Sequence, residues 1–181
     1  MDIKPVLGGS IRPFGAGWFI MEFLKGHAPE GSARIDPAVG STMSDIHAAY
    51  KDGLFRANAR DMVDKEEELR IKKGGHAFNE EEDEMWFEYY LRKIPYKFLK
   101  MRYSSFARYF GHLKRLGWVE ATGRTEPSAI QDYYPPAPSR VFYRLTEAGS
   151  KATPTAISDP LMALYHYSRA QRSAKSRRYT A

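Results

Sequence analysis

The 181-residue chain carries 28 Lys and Arg against 22 Asp and Glu, for a net charge of +6, and is 43% hydrophobic and 14% aromatic. That is enough apolar material for one ordinary core and too much for a wholly disordered chain. It has no cysteine, which removes disulfides, thiolate zinc sites, iron–sulfur clusters and cysteine nucleophiles together; no apolar run approaches the roughly 18 residues that span a bilayer, and residues 18–21 lack the flanks of a signal peptide, so a cytoplasmic protein with no membrane contact is expected.

The charge is unevenly laid out. Residues 1–78 hold 11 basic and 11 acidic side chains, 79–94 hold 2 and 6, 95–159 hold 10 and 5, and 160–181 hold 5 and none. The whole excess lies beyond residue 94. Clustered Lys and Arg displace the counterions condensed on a phosphate backbone, so the pattern suits a polyanion such as nucleic acid. The plainer alternative is a solubilising surface.

Residues 1–15 are rich in Gly and Pro and read as loop. The apolar stretch 17–25 predicts one short helix, and 26–42 reads as a linker. Together they form an N-terminal segment, 1–43. A long helix is expected from about Ser44, where Thr42 and Asp45 have the form of a capping box. Ile46, Ala49, Tyr50, Gly53, Leu54 and Ala57 repeat at helical spacing. Glu66 with Arg70 and Glu68 with Lys72 continue the helix as favourable i,i+4 pairs, until Gly74 and Gly75 end it. This 44–78 unit is either one rod or a helix broken near residues 58–61.

The next helix opens at Asn79, with Glu82 at the capping-box position. Acids fill its first turn and Arg92 and Lys93 its last, as the helix dipole favours. Met85, Trp86, Tyr89, Tyr90 and Ile94 form its apolar stripe. Pro95 then starts about two helical turns, and Ser104 or Ser105 caps a further helix that runs to Leu116 and stops at Gly117. Residues 118–122 and 141–145 alternate like strands on either side of a Pro-rich loop.

Phe106, Phe110 and the run Leu113-Lys114-Arg115-Leu116-Gly117-Trp118-Val119-Glu120, followed by Arg140-Val141-Phe142-Tyr143-Arg144-Leu145-Thr146-Glu147-Ala148-Gly149, resemble the winged helix-turn-helix superfamily, in particular MarR-like and PadR-like transcriptional regulators. The resemblance covers about residues 79–149. It implies a mainly α fold with a small antiparallel β-wing, a winged helix-turn-helix domain at 79–150, and flanking long helices. It also implies a sequence-specific, homodimeric regulator of transcription that binds double-stranded DNA.

The residues support this reading on their own terms. In the 105–116 helix, Phe106, Tyr109, Phe110, Leu113 and Leu116 share one face, and Ser105, Arg108, His112 and Arg115 another. The second set offers a hydroxyl, two guanidiniums and an imidazole, which suit base edges and phosphates in a major groove. Ser104 stands at the same helix start. Lys97, Lys100 and Arg102 precede the helix, where such motifs cross the backbone. Arg124 and Arg140 flank the wing. Its loop departs from the family by its length and its few cations, and Tyr133-Tyr134-Pro135-Pro136 favours extended geometry. The 126–139 loop is thus a candidate surface for a protein partner. A winged-helix protein-interaction module, or a non-specific chromosome-associated DNA-binding protein, is the alternative function.

Asp159-Pro160 signals the start of a final helix in the segment 151–181, with Leu161, Leu164, Tyr165 and Ser168 expected inside. Arg169, Arg172, Lys175, Arg177 and Arg178 form a basic tail suited to phosphates, or merely a solvated end. With the 44–73 helix, this helix is the candidate dimer interface. No enzyme, cofactor or metal is expected. The five histidines are far apart, no G-x-S-x-G elbow is present, and the Gly clusters at 8–9 and 15–17 lack a Walker lysine.

Overall fold

Helix α4 (Tyr103–Arg115) determines how the molecule is put together. Its apolar residues recur every three or four positions, so Phe106, Phe110 and Leu113 fall on one side and are almost wholly buried. They press against α1 (Ala16–Leu24) and the first half of α2 (Met43–Lys72). The computed structural model describes residues 13–94, 101–127 and 139–178, the last eight by their backbone alone. Within these bounds the fold is mainly helical, with a small three-stranded antiparallel sheet.

Tyr50 of α2 is the meeting point of the core. Its ring centroid lies 5.2 Å from that of Phe19, 5.7 Å from Phe14 and 5.9 Å from Phe106. A buried phenol needs a partner for its hydroxyl, and Tyr50 donates to the Phe14 carbonyl at 3.2 Å. One turn earlier, His47 packs on Phe106 at 5.0 Å and its Nε2 bonds the Met101 carbonyl at 2.9 Å. The start of α4 is therefore tied to α2 by both polar and aromatic contacts.

The sheet has the order β1 (Ser41–Thr42), β3 (Arg140–Leu145), β2 (Val119–Glu126). Strands β2 and β3 pair from Val119 opposite Leu145 to Glu126 opposite Arg140, with an irregularity between Ala121 and Thr125. The two-residue β1 lies in the stretch expected to be linker. It reaches β3 because Gly40 adopts φ +75°, and a Cβ there would sit 2.0 Å from the Tyr143 carbonyl oxygen. Gly117 stops α4 in the left-handed conformation as expected, with φ +70° and Trp118 N donating to the Leu113 carbonyl.

Helix α2 is continuous, without a break at 58–61. Thr42 caps it through Asp45 N, and Asn79 and Glu82 form a reciprocal capping box on α3 (Glu80–Lys93). Beyond Val63, α2 leaves the core and is lined by α3 as a helical hairpin. Arg60 pairs with Asp83, Arg70 with Glu82 at 2.7 Å, and Tyr90 donates to Glu66. Trp86 and Tyr90 turn towards α2, whereas Met85 and Tyr89, members of the same apolar stripe, face outward.

Two short helices, α5 (Glu147–Ser150) and α6 (Pro154–Ser158), were not legible as helices and lead into α7 (Pro160–Arg178). One core cluster takes residues from all four expected segments: Phe14 to Leu24, then Ile46, Tyr50 and Leu54, then Met101 to Val119, and Ile157. The boundaries at 43/44, 78/79 and 150/151 therefore divide elements that share a core, while α3 buries no residue fully. The expected helical turns at 95–101, apart from Met101, which is not helical, and most of the 126–139 loop lie outside the described residues.

Phe106 is fully buried where α2 meets α4. Phe106→Ala is expected to lower the unfolding free energy by about 3–5 kcal/mol, read from urea denaturation. A loss below about 1 kcal/mol would contradict this placement of the joint.

Candidate nucleic-acid interface

Because Phe106, Phe110 and Leu113 face inward, the opposite side of α4 is dictated by helix geometry. It consists of Ser104, Arg108, Gly111 and Arg115, of which Ser104, Arg108 and Arg115 are exposed. Arg102 is exposed at the N-cap, and Lys114 is exposed beside the stripe with its ammonium 5.1 Å from the Tyr143 ring centre. The helix begins two residues earlier than expected. Its cap residue is Arg102, and no side chain caps it, so neither Ser104 nor Ser105 has that role.

Ser105 and His112 belong to a different surface from the one expected. Ser105 is half-buried and His112 buried to 9% exposure, because the start of α7 lies against this flank of α4. Between them runs an open groove of about 530 Å³, lined by Met101, Ser105, Arg108, Tyr109 and His112 on one side and by residues 158–161 on the other. Arg108 stands at its edge and is shared by the groove and the outward stripe.

Arg115 lies outward, but its guanidinium is held in place. Its Nη2 donates to His112 Nδ1 at 2.7 Å, and its Nε lies 3.4 Å from the Gly111 carbonyl. The imidazole accepts this bond only through an unprotonated Nδ1. Burial, reinforced by the positive charges of Arg115 and Arg108, holds the His112 pKa below its ordinary range. The neutral ring thus acts as a support for Arg115. Asp159, across the groove, caps α7 by accepting from Met162 N at 3.0 Å.

The wing cations differ in role. Arg140 is stapled into the fold: its guanidinium pairs with Asp45 and with Glu126 at 2.9 Å, and donates to Thr42 Oγ1 at 2.7 Å. These bonds clamp β3 to the start of α2, so Arg140 is a structural clamp rather than a free phosphate contact. Arg124 is exposed and stacks its guanidinium 4.3 Å from the Phe142 ring centre. Arg144 pairs with Glu120 across the strands. Lys97 and Lys100 lie outside the described residues. Arg169 is exposed on α7; Arg172, Lys175, Arg177 and Arg178 lie on the helical backbone that continues from it, beyond the described side chains.

Gly111 is a residue that sequence reasoning passed over. It sits in the middle of the outward stripe, and among the described residues a Cβ built on it meets nothing within 4 Å. Glycine inside a helix costs roughly 0.5–1 kcal/mol relative to alanine, and no crowding among the described residues accounts for that cost. Close backbone approach by a partner would account for it. The signal was available as a glycine between Phe110 and His112 in an otherwise regular amphipathic helix.

No family model, curated protein or solved structure matches the chain. Among the described residues, no group of three or more His, Asp and Glu could hold a metal ion, and no helix is long and apolar enough to cross a membrane.

The depressed His112 pKa has a definite consequence for stability. The folded state disfavours protonation, so the stabilisation is complete above the unfolded-state value of about 6.5 and is lost as pH falls through the lower folded-state value. Melting temperatures measured across this window should fall with acidification in the parent and fall less in His112→Gln. Identical pH profiles for the two proteins would remove the support role assigned to His112.

Proposed function

We propose that the chain is a winged-helix DNA-binding protein, a sequence-specific transcriptional regulator that acts as a homodimer and reads the major groove with α4. The observation that carries the proposal is the two-sided build of α4. It is anchored through Phe106, Phe110 and Leu113 and directs Ser104, Arg108, Gly111 and Arg115 away from the body. The antiparallel β2–β3 ribbon follows it directly, as the resemblance implies.

In this reading the helix paired with α4 is the first half of α2. That is the helix whose His47 and Tyr50 hold α4 in place. The distal half of α2 and α3 then form a helical excursion inserted between the two helices of the motif. Arg108 and Arg115 are the side chains offered to guanine edges or phosphates, with Ser104, Arg102 and Lys114 as flanking positions. Gly111 lets the helix backbone approach the groove. Arg124 and the basic end of α7 supply non-specific phosphate contacts, whereas Arg140 and His112 act indirectly, through the fold and through Arg115.

The excess of basic over acidic residues lies wholly beyond residue 94, the half of the chain that contains α4 and α7. Electrostatic attraction of this kind is sensitive to salt, with log affinity falling at a slope of about −0.9 per neutralised phosphate.

Two measurements test the reading. Duplex binding followed by fluorescence anisotropy should weaken by at least about tenfold in Arg108→Ala/Arg115→Ala, with a shallower salt slope. No binding of any duplex at low salt, or equal affinity in the double variant, contradicts the proposal. Gly111→Ala separates function from folding: it should raise thermal stability by up to about 1 kcal/mol and still weaken duplex binding. An alanine variant that is more stable and binds as well as the parent would remove Gly111 from the interface.

A further inference from the structure

Two helices far apart in sequence leave apolar side chains uncovered in the same pattern. On α3, Met85 is 58% and Tyr89 46% exposed, because Trp86, Phe87 and Tyr90 take the face towards α2. Exposed Glu81, Glu84 and Glu88 flank them. On α7, Leu161 is 57% and Tyr165 55% exposed, although both were expected inside; Met162 and Arg169 beside them are exposed as well. Each helix therefore has a surface strip that is apolar in one part and charged in the next.

The strips are complementary in charge and in order. Along α3 the acids come first and the apolar residues second. Along α7 the apolar residues come first and the cations second, with no acid after Asp159. Laid antiparallel, Tyr89 faces Leu161, Met85 faces Tyr165 and Glu81 faces Arg169. Each step of four residues on one helix, roughly 6 Å, is matched by four on the other. The antiparallel sense also opposes the two helix dipoles favourably.

We infer that these two strips are halves of one interface, in which α7 of one copy of this chain packs antiparallel on α3 of a second copy. A two-fold axis repeats the contact, α3 on α7 and α7 on α3, and closes the assembly as a dimer. The occupant is another copy because one chain carries both halves: in this register Tyr89 and Met85 meet Leu161 and Tyr165, and Glu81 meets Arg169. The inference deepens the dimeric part of the proposed function, and it stands or fails without DNA.

Sedimentation velocity of the full chain, in the absence of nucleic acid, tests it. The parent should sediment at twice 20.7 kDa at micromolar concentrations. Met85→Asp and Tyr165→Asp should each raise the dissociation constant by at least about tenfold, about 1.4 kcal/mol. Glu81→Arg and Arg169→Glu, both at exposed positions, should each weaken the dimer, and their combination should recover most of the loss. A parent that stays monomeric up to tens of micromolar overturns the inference. So does a mass that climbs past the dimer with concentration, or a dimer that all four substitutions leave unchanged. Failure of duplex binding with these dimer results intact would count against the DNA reading alone.

Discussion

The packing of Phe106 against Tyr50 and His47 is the contact on which the rest of the arrangement depends. It settles the rotation of α4 about its axis, and a helix rotated by one residue presents a different set of side chains to solvent. With Phe106, Phe110 and Leu113 held inside, Arg108 and Arg115 have to lie outside. The same contact joins the first half of α2 to α4 across an intervening hairpin of about 40 residues. It lets two helices distant in sequence behave as a local pair.

A second constraint acts on the flank of α4. The start of α7 lies beside it, and Ser105 and His112 line the groove between the two helices instead of joining the outward stripe. The result is a division of labour along one helix turn. His112 accepts a hydrogen bond and holds Arg115, while Arg115 itself faces outward. A buried neutral imidazole between two guanidiniums is a favourable acceptor and an unfavourable cation, which is why its pKa is depressed.

Features decided by neighbours in sequence are legible in the sequence itself. The Asn79 and Glu82 capping box, the Thr42 cap, the Gly117 stop and the two strands after it depend on residues a few positions apart. Features decided by distant residues are not. Arg140 read as a free wing cation because its partner Asp45 lies 95 positions away. The strand β1 is two residues long and gains its identity only from pairing with β3. Helix α3 read as the opening helix of the domain because its apolar residues repeat at helical spacing; that spacing does not say which helix they pack on, and they pack on α2. Three of the four members of the outward stripe of α4 are legible in the sequence: Ser104, Arg108 and Arg115 lie there, Ser105 and His112 do not, and Gly111 escapes notice because it has no side chain.

The central claim is that the outward stripe of α4 is the surface that meets DNA. Amide chemical-shift mapping of the folded chain, titrated with a duplex it binds, tests this most directly. The account predicts that perturbations centre on Ser104, Arg108, Gly111 and Arg115, with smaller shifts at Arg102 and Arg124. Perturbations confined to α3, or to the end of α7 with α4 unmoved, would contradict it.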